Sequence, residues 1–184
     1  EFSAKVTDPI SVADVVFTLD GNIQFMPDDL ENPVVPVDTT SVISQEGEHS
    51  LEIVAENQGG YTETYSGTFV VDNTPPRIDW PLPDDSYQTE NFDFAATISD
   101  NIELASARLF FDGKELADFV QGGEPTELNP SYEINALQHF EGPHTMAVEV
   151  MDKAGAKTTQ QKTVNLDWNP PQVNVTTTAG QVIK

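Results

Sequence analysis

The chain has no cysteine, and its eight lysines and arginines face 31 aspartates and glutamates. The first absence excludes disulfides, thiolate metal sites and the Cys…Trp…Cys pattern of antibody-type sandwiches. The second gives a formal charge of −23. No cationic surface exists to displace the counterions of a nucleic acid, so nucleic acid is excluded as a partner. An anionic membrane surface is disfavoured for the same reason. No run approaches the roughly 18 consecutive apolar residues of a span, so direct membrane insertion is not expected. Catalytic constellations are missing as well: there is no Gly-x-Ser-x-Gly, no HExxH and no phosphate-binding glycine loop. Acid pairs such as Asp28–Asp29 and Asp84–Asp85 are adjacent in sequence and face different ways. The expectation is a protein that is not an enzyme. No signal peptide opens the chain, since Glu1–Phe2 runs straight into a strand-like pattern, which suits a segment from the middle of something larger.

What is present points to β structure. The 184 residues include 13 prolines and 11 glycines, with 38% apolar residues. Runs such as Val15–Val16–Phe17 and Leu109–Phe110–Phe111 are rich in strand formers, and Met146–Val148–Val150 alternate with polar neighbours. Sliding the sequence against itself reveals a repeat. Residues 2–21 lie over 94–113 at an offset of 92, with identities at Phe2/Phe94, Asp8/Asp100, Asp20/Asp112 and Gly21/Gly113. Residues 46–78 lie over 141–173 at an offset of 95, matching Glu46/Glu141, His49/His144, Gly60/Gly155, Asp72/Asp167 and Pro76/Pro171. The second copy therefore carries a three-residue insertion between these stretches.

In the second copy the pattern predicts strands over 77–81, 91–99, 104–111, 131–137, 144–151 and 157–166, with a hairpin turn at Asp112–Gly113. About seven strands in about 95 residues give an all-β fold of two tandem immunoglobulin-like β-sandwiches. The expected division is 1–76 for a first repeat lacking its first strand, 77–171 for the second, and 172–184 for the first strand of a further repeat or a tail. A surplus strand at one end and a vacant edge at the other would permit strand exchange between molecules. Asp72–Asn73–Thr74–Pro75–Pro76 and Asp167–Trp168–Asn169–Pro170–Pro171 punctuate the copies, and a proline pair fixes two φ angles and stiffens the joint.

The pattern EGEHSLEIVAENQGG…VVDNTPP, echoed as EGPHTMAVEVMDKAG…NLDWNPP, resembles the tandem bacterial Ig-like repeats of large surface and adhesin-type proteins. The resemblance covers essentially the whole chain. It implies an extracellular, cell-surface location and a role in spacing, adhesion or presentation beside neighbouring repeats, with joints sometimes stiffened by Ca²⁺. The first copy departs from the pattern, with Asn57–Gln58–Gly59–Gly60 where Asp152–Lys153–Ala154–Gly155 keeps the aspartate.

Acidic residues near the joints are candidate Ca²⁺ ligands, because hard oxygen donors on loops suit that ion. The candidates are Asp72, Asn73, Asp79, Asp100, Asn101, Asp152 and Asp167. The competing explanation is that Asp100, Asp112 and Asp152 simply serve their turns, since no DxDxDG loop exists. Trp80 and Trp168 border the joints and are expected to wedge between neighbouring repeats, with a carbohydrate platform as the alternative. His49 and His144 repeat in one slot and suggest a sandwich corner. A rival reading is a glycan- or protein-binding module using loops 22–36 or 114–130, where Phe25, Met26 and Phe119 stand. An accessory domain of a secreted enzyme is a third.

Overall fold

The computed structural model describes residues 2–25, 34–37, 45–123 and 125–176. These form two compact units, Glu1–Pro75 with Asp152–Ala156, and Pro76–Met151 with Lys157–Lys184. The 152–156 segment is a hairpin turn and belongs by chain connectivity to the second sandwich.

The first unit contains β1 (Phe2–Lys5), β2 (Val12–Leu19), β3 (Asn22–Phe25), β4 (Val34–Val37), β5 (Gly47–Asn57) and β6 (Thr62–Val71). One sheet runs β3-β2-β5-β6, and β1 pairs with β4. Val12, Val15, Phe17 and Leu19 of β2 pack with Leu51 and Ile53 of β5 in its core.

The second unit contains β7 (Arg77–Asp79), β8 (Ser86–Gln88), β9 (Phe92–Ala95), β10 (Thr97–Ser99), β11 (Leu104–Phe111), β12 (Lys114–Asp118), β13 (Glu127–Leu128), β14 (Ser131–Ile134), β15 (Gly142–Asp152) and β16 (Lys157–Leu166). One face is the five-stranded sheet β12-β11-β15-β16-β8. The pairings β13-β10-β7 and β14-β9 supply the other. Between them lie Phe94, Ile98, Leu104, Leu109, Met146 and Val148, all fully buried. This is an immunoglobulin-like β-sandwich. Strand bounds in the two units agree at the repeat offsets: β2 matches β11, β5 matches β15 and β6 matches β16.

Local chemistry explains where the strands depart from the sequence expectation. The 91–99 strand breaks at Ala96, whose N–H donates to the Pro130 carbonyl (3.4 Å). The 131–137 strand stops at Ile134, because Asn135 accepts from the Leu137 N–H (3.1 Å) and caps a 3₁₀ turn over Ala136–Gln138. Strand β8 was not expected. It runs parallel to β16, Val164 opposite Ser86, and is anchored by Asp84 Oδ1 accepting from the Thr163 N–H (2.6 Å). Residues 172–176 carry no strand, while the rest of the expected 172–184 strand lies outside the described residues.

Candidate cation site

Strand β15 shows how the sandwich creates its polar sites. Side chains alternate along a strand, and His144, Met146, Val148, Val150 and Asp152 all point inward and are buried. The apolar stripe thus starts with a histidine and ends with an aspartate. Both ends need polar partners, since a buried polar group left unpaired costs about 1–3 kcal/mol.

At the histidine end, Asp112 and Gly113 form the β11–β12 turn at φ values of 48° and 76°. Asp112 Oδ2 lies 2.6 Å from His144 Nδ1, and Asp112 Oδ1 accepts from the Thr145 N–H (2.9 Å). His144 Nε2 donates to the Phe140 carbonyl (2.7 Å). Two acceptors around one ring favour the imidazolium. Burial works against that charge, but the Asp112 carboxylate and the Phe140 carbonyl outweigh it and raise the His144 pKa above its ordinary 6.5. The first sandwich repeats the arrangement. His49 Nδ1 lies 2.7 Å from Asp20 Oδ2 and its Nε2 donates to Gln45 O (2.8 Å). The Asp20 hydrogen bond, with that of Gln45, raises the His49 pKa. These histidines are corner fasteners, as the sequence suggested.

The chain leaving each last strand is also fastened. Glu46 Oε1 accepts from the Asn73 N–H (3.1 Å) and from the Thr74 hydroxyl. Glu141 Oε1 accepts from the N–H groups of Trp168 (2.9 Å) and Asn169 (2.7 Å). The sequence comparison matched Glu46 with Glu141 and gave them no role. Their spacing from the proline joints was the available signal.

At the aspartate end, Asp152 is 1% exposed. Its Oδ1 accepts from the Ala156 N–H (2.9 Å). Asp100, just beyond β10, accepts through Oδ1 from the N–H groups of Ile102 (2.9 Å) and Glu103 (3.0 Å). One carboxylate oxygen of each aspartate lies within 4.8 Å of the other's. Asp100 Oδ2 and Asp152 Oδ2 are buried without a hydrogen-bond partner among the described residues. Turn chemistry accounts for each Oδ1 and leaves each Oδ2 unexplained. The pair lies at the end of the sandwich where the chain enters from Pro76, for Ser99 is paired with Arg77 of β7.

Asp79, Asn101 and Asp167 are placed differently. Asp79 is exposed on β7, opposite Thr97. Asn101 is exposed beside Asp100. Asp167 is exposed after β16, its N–H donating to Gln88 O (3.0 Å). Asp72 and Asn73 follow β6 in the first unit, where Asp72 Oδ1 accepts from the Thr74 N–H (3.2 Å). Trp80 requires a correction. It is 4% exposed, packs edge-on against Phe94 with centroids 5.4 Å apart, and lies beneath Lys162 Nζ at 5.0 Å. It is core rather than wedge or platform, because β7 alternation turns Ile78 and Trp80 inward. Trp168 is half-buried against the same core. Phe119, expected on a binding loop, stacks on Phe94 (5.8 Å). Met26 lies outside the described residues, as do the side chain of Phe25 and most of loop 22–36.

Among the described residues no helix is long and apolar enough to cross a membrane. No protein-family model matches the sequence, and no curated protein matches it. Solved structures similar to the chain include the following two. The fibronectin(III)-like modules of Clostridium thermocellum CbhA are 17% identical with a TM-score of 0.48, over 95% of this chain and 90% of that one. SGBP-B of the Bacteroides ovatus mixed-linkage glucan utilization locus, in complex with a mixed-linkage heptasaccharide, is 13% identical with a TM-score of 0.28. That match covers 90% of this chain and 63% of the other, so the chain spans less than two thirds of that protein. At these scores neither likeness bears on function, and the all-β, Ig-like fold rests on the strand pairing described above.

Proposed function

We propose that this chain is a non-catalytic spacer segment of a bacterial extracellular surface protein. In this reading it binds Ca²⁺ through Asp100 and Asp152, where the second sandwich receives the chain. The observation that carries the reading is the buried carboxylate pair beside the entry strand. Two like charges within 4.8 Å of each other repel by at least about 3 kcal/mol at an effective dielectric of about 20. A hard divalent cation reverses the sign of that interaction and gives both unpartnered oxygens a ligand. The chemistry fits, since Ca²⁺ takes six to eight oxygens. Two carboxylates supply part of that shell, and water and backbone carbonyls complete it. A cation here ties the β15–β16 turn to the end of β10, next to the proline-bearing linker. It therefore stiffens the part of the sandwich through which tension enters from a neighbouring repeat.

Single-molecule pulling tests this. The second sandwich is expected to unfold at higher force in Ca²⁺ than in EDTA, with NaCl matched for ionic strength. Equal forces would sink the reading.

One observation favours a second reading, a glycan- or protein-binding module. The first sandwich has a cleft of about 440 Å³ lined by residues including Asp8, Asn57, Tyr61 and Tyr65. Tyr61 is 79% exposed and Tyr65 61%, and exposed aromatic faces suit sugar rings. Affinity electrophoresis in soluble polysaccharides decides: retention of the wild type, lost in Tyr65→Ala, supports this alternative, and no retention removes the glycan form of it.

A further inference from the structure

The two sandwiches build the same corner and differ there by one chemical group. Asp8 occupies the place of Asp100, its Oδ1 accepting from the N–H groups of Ile10 (2.9 Å) and Ser11 (3.1 Å), as Asp100 Oδ1 does from Ile102 and Glu103. Asn57 ends β5 where Asp152 ends β15. The N–H of each donates to a carbonyl four residues on, Tyr61 (3.0 Å) or Ala156 (3.1 Å). The Oδ1 of each accepts from the N–H of that same residue, at 3.1 Å in Asn57 and 2.9 Å in Asp152. With Oδ1 fixed alike, the second terminal atom is directed alike. In Asn57 that atom is Nδ2, which donates to Asp8 Oδ2 at 3.3 Å. In Asp152 it is Oδ2, which like Asp100 Oδ2 has no hydrogen-bond partner among the described residues.

We propose that Asn57 is an amide lock that takes the place of the cation. The first sandwich closes its corner with an N–H···O bond and holds together without metal. The second presents two acceptors and no donor, and depends on a divalent cation to close. One chain thus carries a metal-independent module followed by a metal-dependent one, chosen by Asn or Asp at a single inward strand position. Loss of Ca²⁺ loosens the second sandwich and leaves the first intact. This rests on reading Asp100 and Asp152 as a Ca²⁺ site, yet the lock is separately testable, because an amide at position 152 should close the corner in the absence of metal.

Hydrogen–deuterium exchange of the full chain in EDTA and in millimolar Ca²⁺ resolves the β5–β6 and β15–β16 hairpins independently. In the wild type, Ca²⁺ is expected to slow exchange in β15–β16 by on the order of tenfold and leave β5–β6 unchanged. Asp152→Asn is expected to slow β15–β16 exchange in EDTA to the Ca²⁺-bound level, with no further effect of Ca²⁺. Asn57→Asp is the companion variant should Asp152→Asn fail to fold, and it is expected to speed exchange in β5–β6 alone in EDTA. Protection of both wild-type hairpins by Ca²⁺ overturns the lock. So does an Asp152→Asn protein that folds but gains no protection in EDTA, or an Asn57→Asp protein with unchanged β5–β6. If Ca²⁺ protects neither wild-type hairpin while Asp152→Asn still gains protection in EDTA, the Ca²⁺ reading fails and the lock stands.

Discussion

Replacing Asp112 with alanine removes two hydrogen bonds and a backbone preference together. The Thr145 N–H loses its acceptor at 2.9 Å and His144 Nδ1 loses its partner at 2.6 Å. Hydrogen bonds to charged groups contribute about 1.5–3 kcal/mol each. The Asp112 side chain is 47% exposed, so solvent screening puts both near the lower end. Alanine at φ 48° adds about 1 kcal/mol, because a left-handed backbone crowds Cβ. The expected loss is about 4 kcal/mol from the second sandwich. For a domain of this size that lowers the midpoint by on the order of 15–20 °C. Trp80 and Trp168 are the two tryptophans and both lie in the second unit, so tryptophan fluorescence follows that sandwich and not the first. Asp112→Asn is the control. It retains an acceptor for Thr145 and tolerates the left-handed turn, so it should lose no more than about 1–2 kcal/mol. An Asp112→Ala protein within about 0.5 kcal/mol of wild type, or Asn as damaging as Ala, would refute the fastener argument.

The same pair sets a pH dependence. The His144 pKa is raised from 6.5, so its contribution is complete below that value and is lost as pH rises through the folded-state pKa. The Asp112 pKa is lowered from 3.8; burial opposes this and the His144 and Thr145 hydrogen bonds prevail. Its contribution is therefore lost as pH falls through the folded value below 3.8. The fluorescence midpoint should decline on the alkaline side, and Asp112→Asn should flatten that decline; an unchanged slope contradicts the ion pair. Leu109→Ala, at a fully buried site, should cost about 2–5 kcal/mol in urea unfolding, and a neutral result would contradict the packing. Lys162 Nζ donates to Trp80 O (2.6 Å) and to Leu82 O. Lys162→Met should therefore destabilise the second sandwich by about 1.5–3 kcal/mol and shift Trp80 emission; a wild-type spectrum and midpoint would rule out that anchoring.

The sandwich architecture was legible because turn residues and apolar positions repeat together. Asp20–Gly21 and Asp112–Gly113 mark equivalent hairpins, and both adopt the left-handed turn. Strand β8 was not legible: Ser86–Tyr87–Gln88 is too short for a period to mark it, and its place depends on Asp84 reaching the Thr163 N–H across the fold. Trp80 was misread because it precedes Pro81, and proximity to a joint concealed its inward position just past β7. Asp152 carried a clearer signal than its turn suggested. Counting by two from Met146 through Val148 and Val150 reaches Asp152, and from Leu51 and Ile53 it reaches Asn57, so both ends face inward. What no periodicity supplies is that Asp100 meets Asp152, because that contact joins strands distant in sequence.

Unfolding of the full chain followed by tryptophan fluorescence, in EDTA, in millimolar Ca²⁺ and in NaCl of matched ionic strength, tests the cation-held corner most directly. The account predicts a midpoint in Ca²⁺ above the NaCl control, with stabilisation of about 2.7 kcal/mol at a hundredfold excess over Kd. It also predicts that Asp152→Asn abolishes this increment. A Ca²⁺ midpoint no higher than the NaCl control would mean that the acidic residues are only solvated, and would contradict the claim.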